Sequence, residues 1–143
     1  MQKETSDLCD YIFDSEESIL YIQMKDGAEM NLDNTKVHYE LIKKITDNKP
    51  YVAMVDATFY FAIDRQTLEY TALKETIDKR VATAHYNCND GNLLTAHFFN
   101  NYHKPGIPFK VFKLKEEAME WIKSQMKDFL DKEEKIMRSM EEE

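Results

Sequence analysis

The sequence is poor in the residues that build the most recognisable ligand-binding motifs. Among 143 residues it has three glycines and two cysteines. No glycine-rich phosphate loop can be assembled from so few glycines. Cys9 and Cys88 lie far apart and neither has a CxxC partner, which argues against a zinc ribbon or a redox dithiol. A disulfide between them is the alternative to two reduced thiols.

Basic charge is also scarce. The chain has 19 lysines and arginines against 27 acidic residues, a net charge of -8. Without a basic excess to displace counterions, we expect no nucleic-acid partner. Lys104, Lys110, Lys113 and Lys115 fall close together, but such a short group is more typical of a solvated loop and helix start than of a binding patch.

Long apolar runs are missing as well. A membrane-spanning helix needs about 20 consecutive apolar residues, and no run approaches that length. The first residues, MQKETSDLCDY, do not resemble a signal peptide. We therefore expect a cytoplasmic protein, not inserted in a membrane, with both thiols reduced.

What the sequence does contain is an alternation of β-prone and helical segments. Residues 8–13 and 19–24 flank an acidic turn and predict an antiparallel hairpin. Further strands are predicted at 51–55, 81–86 and 109–112, each preceded by an amphipathic helix. The predicted order is β-β-α-β-α-β-α-β-α.

This order predicts an α/β fold: a single, mostly parallel sheet with an N-terminal antiparallel hairpin and helices packed on it. The three later strands should be adjacent and parallel. We expect one domain over residues 1–130. Residues 131–143 are mostly charged and predict a fraying helical extension or tail, with a helical contact in a homodimer as the alternative.

The ends and faces of the helices can also be predicted. Asn31 or Asp33 should cap the first helix, and Asp64 and Asp90 are suitable caps for the next two. Leu68, Ala72, Leu73 and Ile77 suggest the apolar face of the second helix. On the third helix, one stripe is expected to face the core: Leu93, Leu94, His97, Phe98 and Asn101.

One motif resembles a known family. The pattern FF…KPxxPxxxFxxxEEAxxW is similar to the C-terminal half of small bacterial SpoIIAA-like proteins, which are relatives of the STAS domains of anti-sigma-factor antagonists. Its residues here are Phe98-Phe99, Lys104-Pro105, Pro108, Phe112, Glu116-Glu117-Ala118 and Trp121. The resemblance implies a SpoIIAA/STAS-like fold and a role in protein interaction.

The resemblance also implies where a phosphorylation switch would lie. In the antagonists, a serine or threonine follows an aspartate at the start of the helix after the central strand. The corresponding pair here is Asp64-Arg65, and an arginine cannot accept phosphate as that hydroxyl does. Thr58 and Thr67 are near but do not match the position, so the switch is expected to be absent.

The functional surface should lie at the carboxyl edge of the sheet, where open α/β sheets present their sites. Three consecutive aromatic residues cannot all face one core, so at least one should be exposed or line a groove. The predicted binding residues are Asp56, Thr58, Phe59, Tyr60, Phe61, Asp64, Arg65, Asn89 and Asp90.

Three functions fit these residues. The first is a non-enzymatic regulatory or protein-interaction module that needs no cofactor. The second is a binding domain for a small apolar or anionic ligand, with its pocket under the aromatic loop. The third, an enzyme or metal site built from His85, Cys88, His97 and His103, is disfavoured because their spacing matches no familiar ligand pattern. We expect His97 to be a core or boundary residue.

Overall fold

The computed structural model describes residues 1–142. Within them lie eight strands, four α-helices and one π-helical turn. The strands are β1 Gln2–Thr5, β2 Cys9–Asp14, β3 Ile19–Met24, β4 Glu29–Met30, β5 Tyr51–Asp56, β6 Ala62–Ile63, β7 Arg80–Tyr86 and β8 Phe109–Phe112. The helices are α1 Leu32–Ile45, α2 Arg65–Ala72, α3 Asp90–Phe98 and α4 Lys115–Glu141, and the π turn spans Phe99–His103.

Six strands form one mixed sheet in the order β1-β2-β3-β5-β7-β8. β1, β2 and β3 are antiparallel, whereas β3, β5, β7 and β8 run parallel to one another. The predicted hairpin and the three adjacent parallel strands are therefore confirmed. The two short strands β4 and β6 pair in parallel as a separate ribbon, which the sequence analysis did not anticipate.

One face of the sheet is covered by α4. Ala118 and Ile122 of this helix are fully buried, and they pack in a cluster with Val52, Met54 and Ala82 of the central strands. Because β5 lies between two other strands and is covered on both faces, its residues read as a continuous apolar run.

The opposite face is covered by α1, α2 and α3. On α1, His38, Ile42 and Ile45 are buried, and Ile42 and Ile45 pack against the sheet residues Ala53 and Val55. Asn31 caps α1 in a reciprocal pair with Asn34. This confirms one of the two predicted caps.

Other helix ends differ from the prediction. The N-cap of α3 is Asn89, and Asp90 is the first residue of the helix. The predicted cap at Asp90 was therefore wrong by one position. Asp64 does cap α2. That helix ends at Ala72, so Leu73 is exposed and Ile77 reaches the core from a turn instead of from the helix.

The predicted core stripe of α3 is wrong. Its buried residues are Asn92 and Ala96, followed by Phe99 in the π turn. Leu94 and Phe98 are exposed, and His97 is exposed too instead of lying at the core. A polar residue, Asn92, faces inward because it hydrogen-bonds a neighbouring loop, so apolar periodicity gave the wrong face.

α4 continues to Glu141 and extends well beyond the sheet. Its second half exposes four apolar residues: Leu130, Ile136, Met137 and Met140. The N-cap of this helix is Leu114, which makes no side-chain cap hydrogen bond. Among residues 1–142, no helix combines the length and apolar character that crossing a bilayer requires.

Candidate functional site

The loop after β5 is held to the start of α3 by side-chain amides. Asn92 donates from Nδ2 to the carbonyl oxygens of Ala57 and Phe59, each at 2.8 Å. Asn89 donates to the carbonyl of Thr58 at 3.0 Å. These bonds satisfy backbone groups that no strand partner reaches, so the loop has a defined position at the carboxyl edge of the sheet.

The three aromatic residues of this loop are divided between the surface and the interior. Phe59 and Tyr60 are 47% and 53% exposed, whereas Phe61 is buried. The expectation that the run could not face one core is confirmed. The Tyr60 ring lies beside Gly91, where an added Cβ would come within 3.0 Å of ring carbons. Gly91 therefore permits the close approach of this exposed ring to α3.

The remaining predicted residues fall into two separate groups. Asp56 accepts hydrogen bonds from the backbone and hydroxyl of Thr58, the latter at 2.6 Å, and Thr58 is linked to Asn89. Arg65 is exposed and pairs with Glu69 at 3.2 Å along α2. Asp56 acts in this local turn and Asp64 caps α2, which accounts for the geometry of these two carboxylates without a ligand.

A cavity of about 110 Å³ lies between the sheet and the three helices of the second face. It is partly open to solvent. Its wall is mostly apolar: Ile22 and Val55 come from the sheet, Ala96 from α3, and Phe99 and Phe109 from the π turn and β8. Of the nine residues predicted as a site, Phe61 lines this cavity.

One polar end of the cavity is formed by Arg80, a residue that the sequence analysis did not select. Arg80 is 8% exposed. Its Nε donates to the Tyr51 hydroxyl at 3.1 Å, and its Nη1 lies 3.5 Å from the Thr83 hydroxyl. The guanidinium carbon is 5.6 Å from the ring centre of Tyr39 and 5.4 Å from that of Tyr51.

A β-bulge directs Arg80 into the cavity. Tyr51 pairs with Arg80 but Val52 pairs with Ala82, so Val81 has no partner in the ladder. In a regular strand, Arg80 would share a face with Ala82 and point towards α4. The extra residue, Val81, turns the Arg80 side chain to the opposite face of the sheet, as bulges do. Arg80 therefore lines the cavity together with Thr83.

Arg80 is the residue of the cavity wall that carries charge at neutral pH. Burial, together with the nearby charge of Arg80, lowers the pKa of His38 to about 3 and that of His85 to about 4. Burial raises the pKa of Tyr39 to about 12. Since no aspartate or glutamate lines the cavity, its field is positive.

Beside the cavity, a buried polar network joins α1 to β2. The Tyr11 hydroxyl and His38 Nδ1 share a hydrogen bond, and Ser6 lies 3.1 Å from the same hydroxyl. Cys9 contacts Met24 through sulfur at 3.4 Å, and burial raises the pKa of its thiol to about 12. A thiol held in this form is a poor nucleophile.

The other histidines and cysteines occupy separate places. His97 is exposed, and Cys88 is half-buried in the loop before α3. Cys9 and Cys88 are free thiols, so the alternative of a disulfide is not realised. In the part of the chain that the structure describes, no three histidine, cysteine or acidic residues are grouped as metal ligands.

The structure thus shows an α/β domain with a positively charged cavity under one layer of helices. Residues 13–126 match the family described as a domain of unknown function (DUF7793), and the chain belongs to that family. No curated protein and no solved structure shows significant similarity to it.

Proposed function

We propose that this protein is a non-enzymatic regulatory module of the cytoplasm that binds a small, mostly apolar ligand. The observation that carries the proposal is the cavity between the sheet and helices α1, α2 and α3. Protein interiors are close-packed and rarely leave such space. Here the wall combines apolar side chains with a few polar groups at one end, which is the usual composition of a ligand site.

The cavity volume limits the size of the ligand. An apolar cavity of about 150 Å³ admits benzene, which has six non-hydrogen atoms, so a cavity of about 110 Å³ encloses a group of roughly four or five non-hydrogen atoms. Because the cavity is partly open, a somewhat longer molecule can project towards solvent. We expect ligands of this size and not nucleotides or lipids.

The resemblance to SpoIIAA/STAS-like proteins supports a regulatory role. The mixed sheet with its N-terminal hairpin fits the expected architecture. By this resemblance, Arg65 corresponds to the phosphoacceptor position, and its side chain is exposed in an ion pair with Glu69. We therefore propose regulation by ligand binding instead of phosphorylation.

A cavity-filling variant tests the ligand-binding proposal. Ala96→Leu adds three carbon atoms from α3 into the cavity, and Ala72→Leu makes the same change on α2 outside the cavity wall. Four probes are titrated into each protein: butan-1-ol, butanamide, butanoate and butylamine. Their binding is measured from the chemical shifts of the backbone amides of the protein. We expect at least one probe to shift cavity amides saturably in the wild type and Ala72→Leu, but not in Ala96→Leu. If no probe binds, the proposal is wrong.

A second candidate function is binding of a protein partner at the aromatic loop. It is favoured by the exposure of the two consecutive aromatic residues Phe59 and Tyr60, because clustered exposed aromatics are typical of interaction surfaces. The second half of α4 is the competing surface, either for a partner or for a homodimer.

Two double variants distinguish these surfaces. Tyr60→Ala with Arg65→Ala removes the loop contacts, and Arg138→Ala with Met140→Ala removes contacts on α4. Partner capture and thermal stability are measured for both. If the Tyr60/Arg65 variant alone loses partner capture while its thermal stability is unchanged, the aromatic loop is supported as the binding surface. If that variant captures the partner as well as the wild type does, the loop is contradicted as the binding surface.

A further inference from the structure

Arg80 is a buried cation without a buried anion. Its side chain lies on the cavity wall and is nine-tenths buried. Within residues 1–142, the ion pairs join Lys49 to Asp47, Arg65 to Glu69 and Arg138 to Glu134, and none of them includes Arg80. Buried arginines are normally paired with a carboxylate because removing the charge from water is costly.

The neighbours of Arg80 compensate only part of this cost. Two tyrosine rings lie near the guanidinium, and the Tyr51 hydroxyl accepts from Nε. The bond from Nη1 to Thr83 is long, at 3.5 Å. The buried Nη2 has no hydrogen-bond partner among the described residues. A guanidinium presents its donors as a planar fork that matches a carboxylate.

Building on the proposed ligand-binding function, we propose that the cavity takes a small apolar monocarboxylate, with its carboxylate on Arg80. Nη2 is enclosed by protein, so the guanidinium must turn slightly into the cavity for the two carboxylate oxygens to accept from Nη1 and Nη2. The Thr83 hydroxyl donates to the same group. The hydrocarbon part packs on the apolar wall formed by Val55, Phe61 and Phe109.

The charges of the wall decide the ligand class. A single cation balances a single negative charge. Asn92, in the first turn of α3, lines the cavity, but its backbone N–H already donates to the Asn89 side chain, and no glycine lines the wall, so the cavity lacks the free backbone donors that hold a phosphate dianion. A cationic amine is excluded by the absence of an acidic residue from the wall. His38 and His85 are neutral at pH 7 because burial depresses their pKa values, so they add no positive charge.

Three probes that share an unbranched four-carbon chain test the charge requirement in the wild-type protein. These are butanoate, butanamide and butylamine, with dissociation constants measured from amide shifts at pH 7. A charge-assisted hydrogen bond is considerably stronger than a neutral one, so we expect butanoate to bind about tenfold or more tightly than butanamide. Butylamine should not bind.

A variant then assigns the preference to Arg80. Arg80→Met keeps the unbranched stem of the side chain but removes the guanidinium and its charge, and Arg138→Met makes the same change at an exposed site on α4. We expect Arg80→Met to bind butanoate no better than butanamide, whereas Arg138→Met keeps the wild-type preference. Arg80→Lys should retain a reduced preference, because it keeps the charge but loses the fork.

The outcomes separate this inference from the function on which it rests. Equal binding of butanoate and butanamide by the wild type would overturn the carboxylate assignment and leave the cavity as a site for neutral ligands. Binding of none of the probes would overturn both. The wild-type comparison needs no variant, so the assignment is tested even if Arg80→Met fails to fold.

Discussion

Arg80 and Tyr51 begin two neighbouring parallel strands, and the Arg80 Nε donates a hydrogen bond to the Tyr51 hydroxyl at 3.1 Å. The same ring lies 5.4 Å from the guanidinium carbon. Tyr51 therefore supports the arginine twice, through its hydroxyl and through its ring. Its position at the first residue of β5 fixes the polar end of the cavity relative to the sheet.

Tyr51→Phe should lower the free energy of unfolding by about 1–3 kcal/mol, because it leaves a buried donor of Arg80 without an acceptor. Tyr21→Phe is the matched control. The Tyr21 hydroxyl contacts the Met119 sulfur at 3.8 Å, and its loss should cost less than about 0.5 kcal/mol. Urea unfolding measures both, and equal losses would contradict a supporting role for the Tyr51 hydroxyl.

Stability should fall as the pH drops from 7 to 5. The pKa of His38 is about 3 in the folded protein because of burial and the charge of Arg80, whereas an unfolded histidine has a pKa of about 6.5. Below pH 6.5 the unfolded chain therefore binds more protons than the folded one. The loss should be about 2 kcal/mol over this range for His38, and His85 should behave similarly.

The histidine contribution can be isolated with His38→Asn, whose amide can take over the hydrogen bond made by Nδ1. This variant should show a flatter dependence of stability on pH between 7 and 5. His97→Gln, at an exposed position, should keep the wild-type slope. An unchanged slope in His38→Asn would show that His38 is not the titrating group.

Ile122→Ala should destabilise the protein by about 2–4 kcal/mol, because the removed atoms leave a cavity in the fully buried cluster under α4. Ile136→Ala is the same substitution on the same helix, at a residue that is 56% exposed. It should change stability by less than about 0.5 kcal/mol. Comparable losses in thermal unfolding would mean that the second half of α4 is also buried in solution.

Asn92→Asp should detach the loop after β5. The substitution keeps the shape but replaces the donor to the carbonyls of Ala57 and Phe59 with a charged acceptor. We expect a loss of about 2 kcal/mol or more and faster amide exchange at Phe61 and Ala62. Asn101→Asp, at an exposed position in the π turn, should leave the exchange of both amides unchanged.

The strand order was predictable because each parallel strand carries a distinct apolar run and is separated from the next by a helix. The same reasoning failed at Arg80. Strand alternation places Arg80 on the face of Ala82, and the bulge at Val81 that reverses it has no signal in the sequence, since valine is an ordinary strand residue. The polar end of the cavity was therefore missed.

At the carboxyl edge of the sheet, prediction from the sequence failed for a different reason. The aromatic loop was predicted to split between surface and interior, and Phe61 does turn inward. The cavity wall also needs Asn92 and Ala96, and these were missed because the most hydrophobic side chains of α3 face outward. Hydrophobic periodicity cannot find a helix face that is selected by hydrogen bonds to a neighbouring loop.

The position of α4 has a consequence for the order in which the chain folds. One face of the sheet is covered by α4, a helix that begins at Lys115 and follows every strand of the sheet in the sequence. During synthesis, Val52 and Met54 therefore emerge more than 60 residues before the Ala118 and Ile122 that bury them. The parallel strands cannot complete a stable core until α4 leaves the ribosome, and a nascent chain halted before residue 115 should expose an apolar sheet face that chaperones recognise.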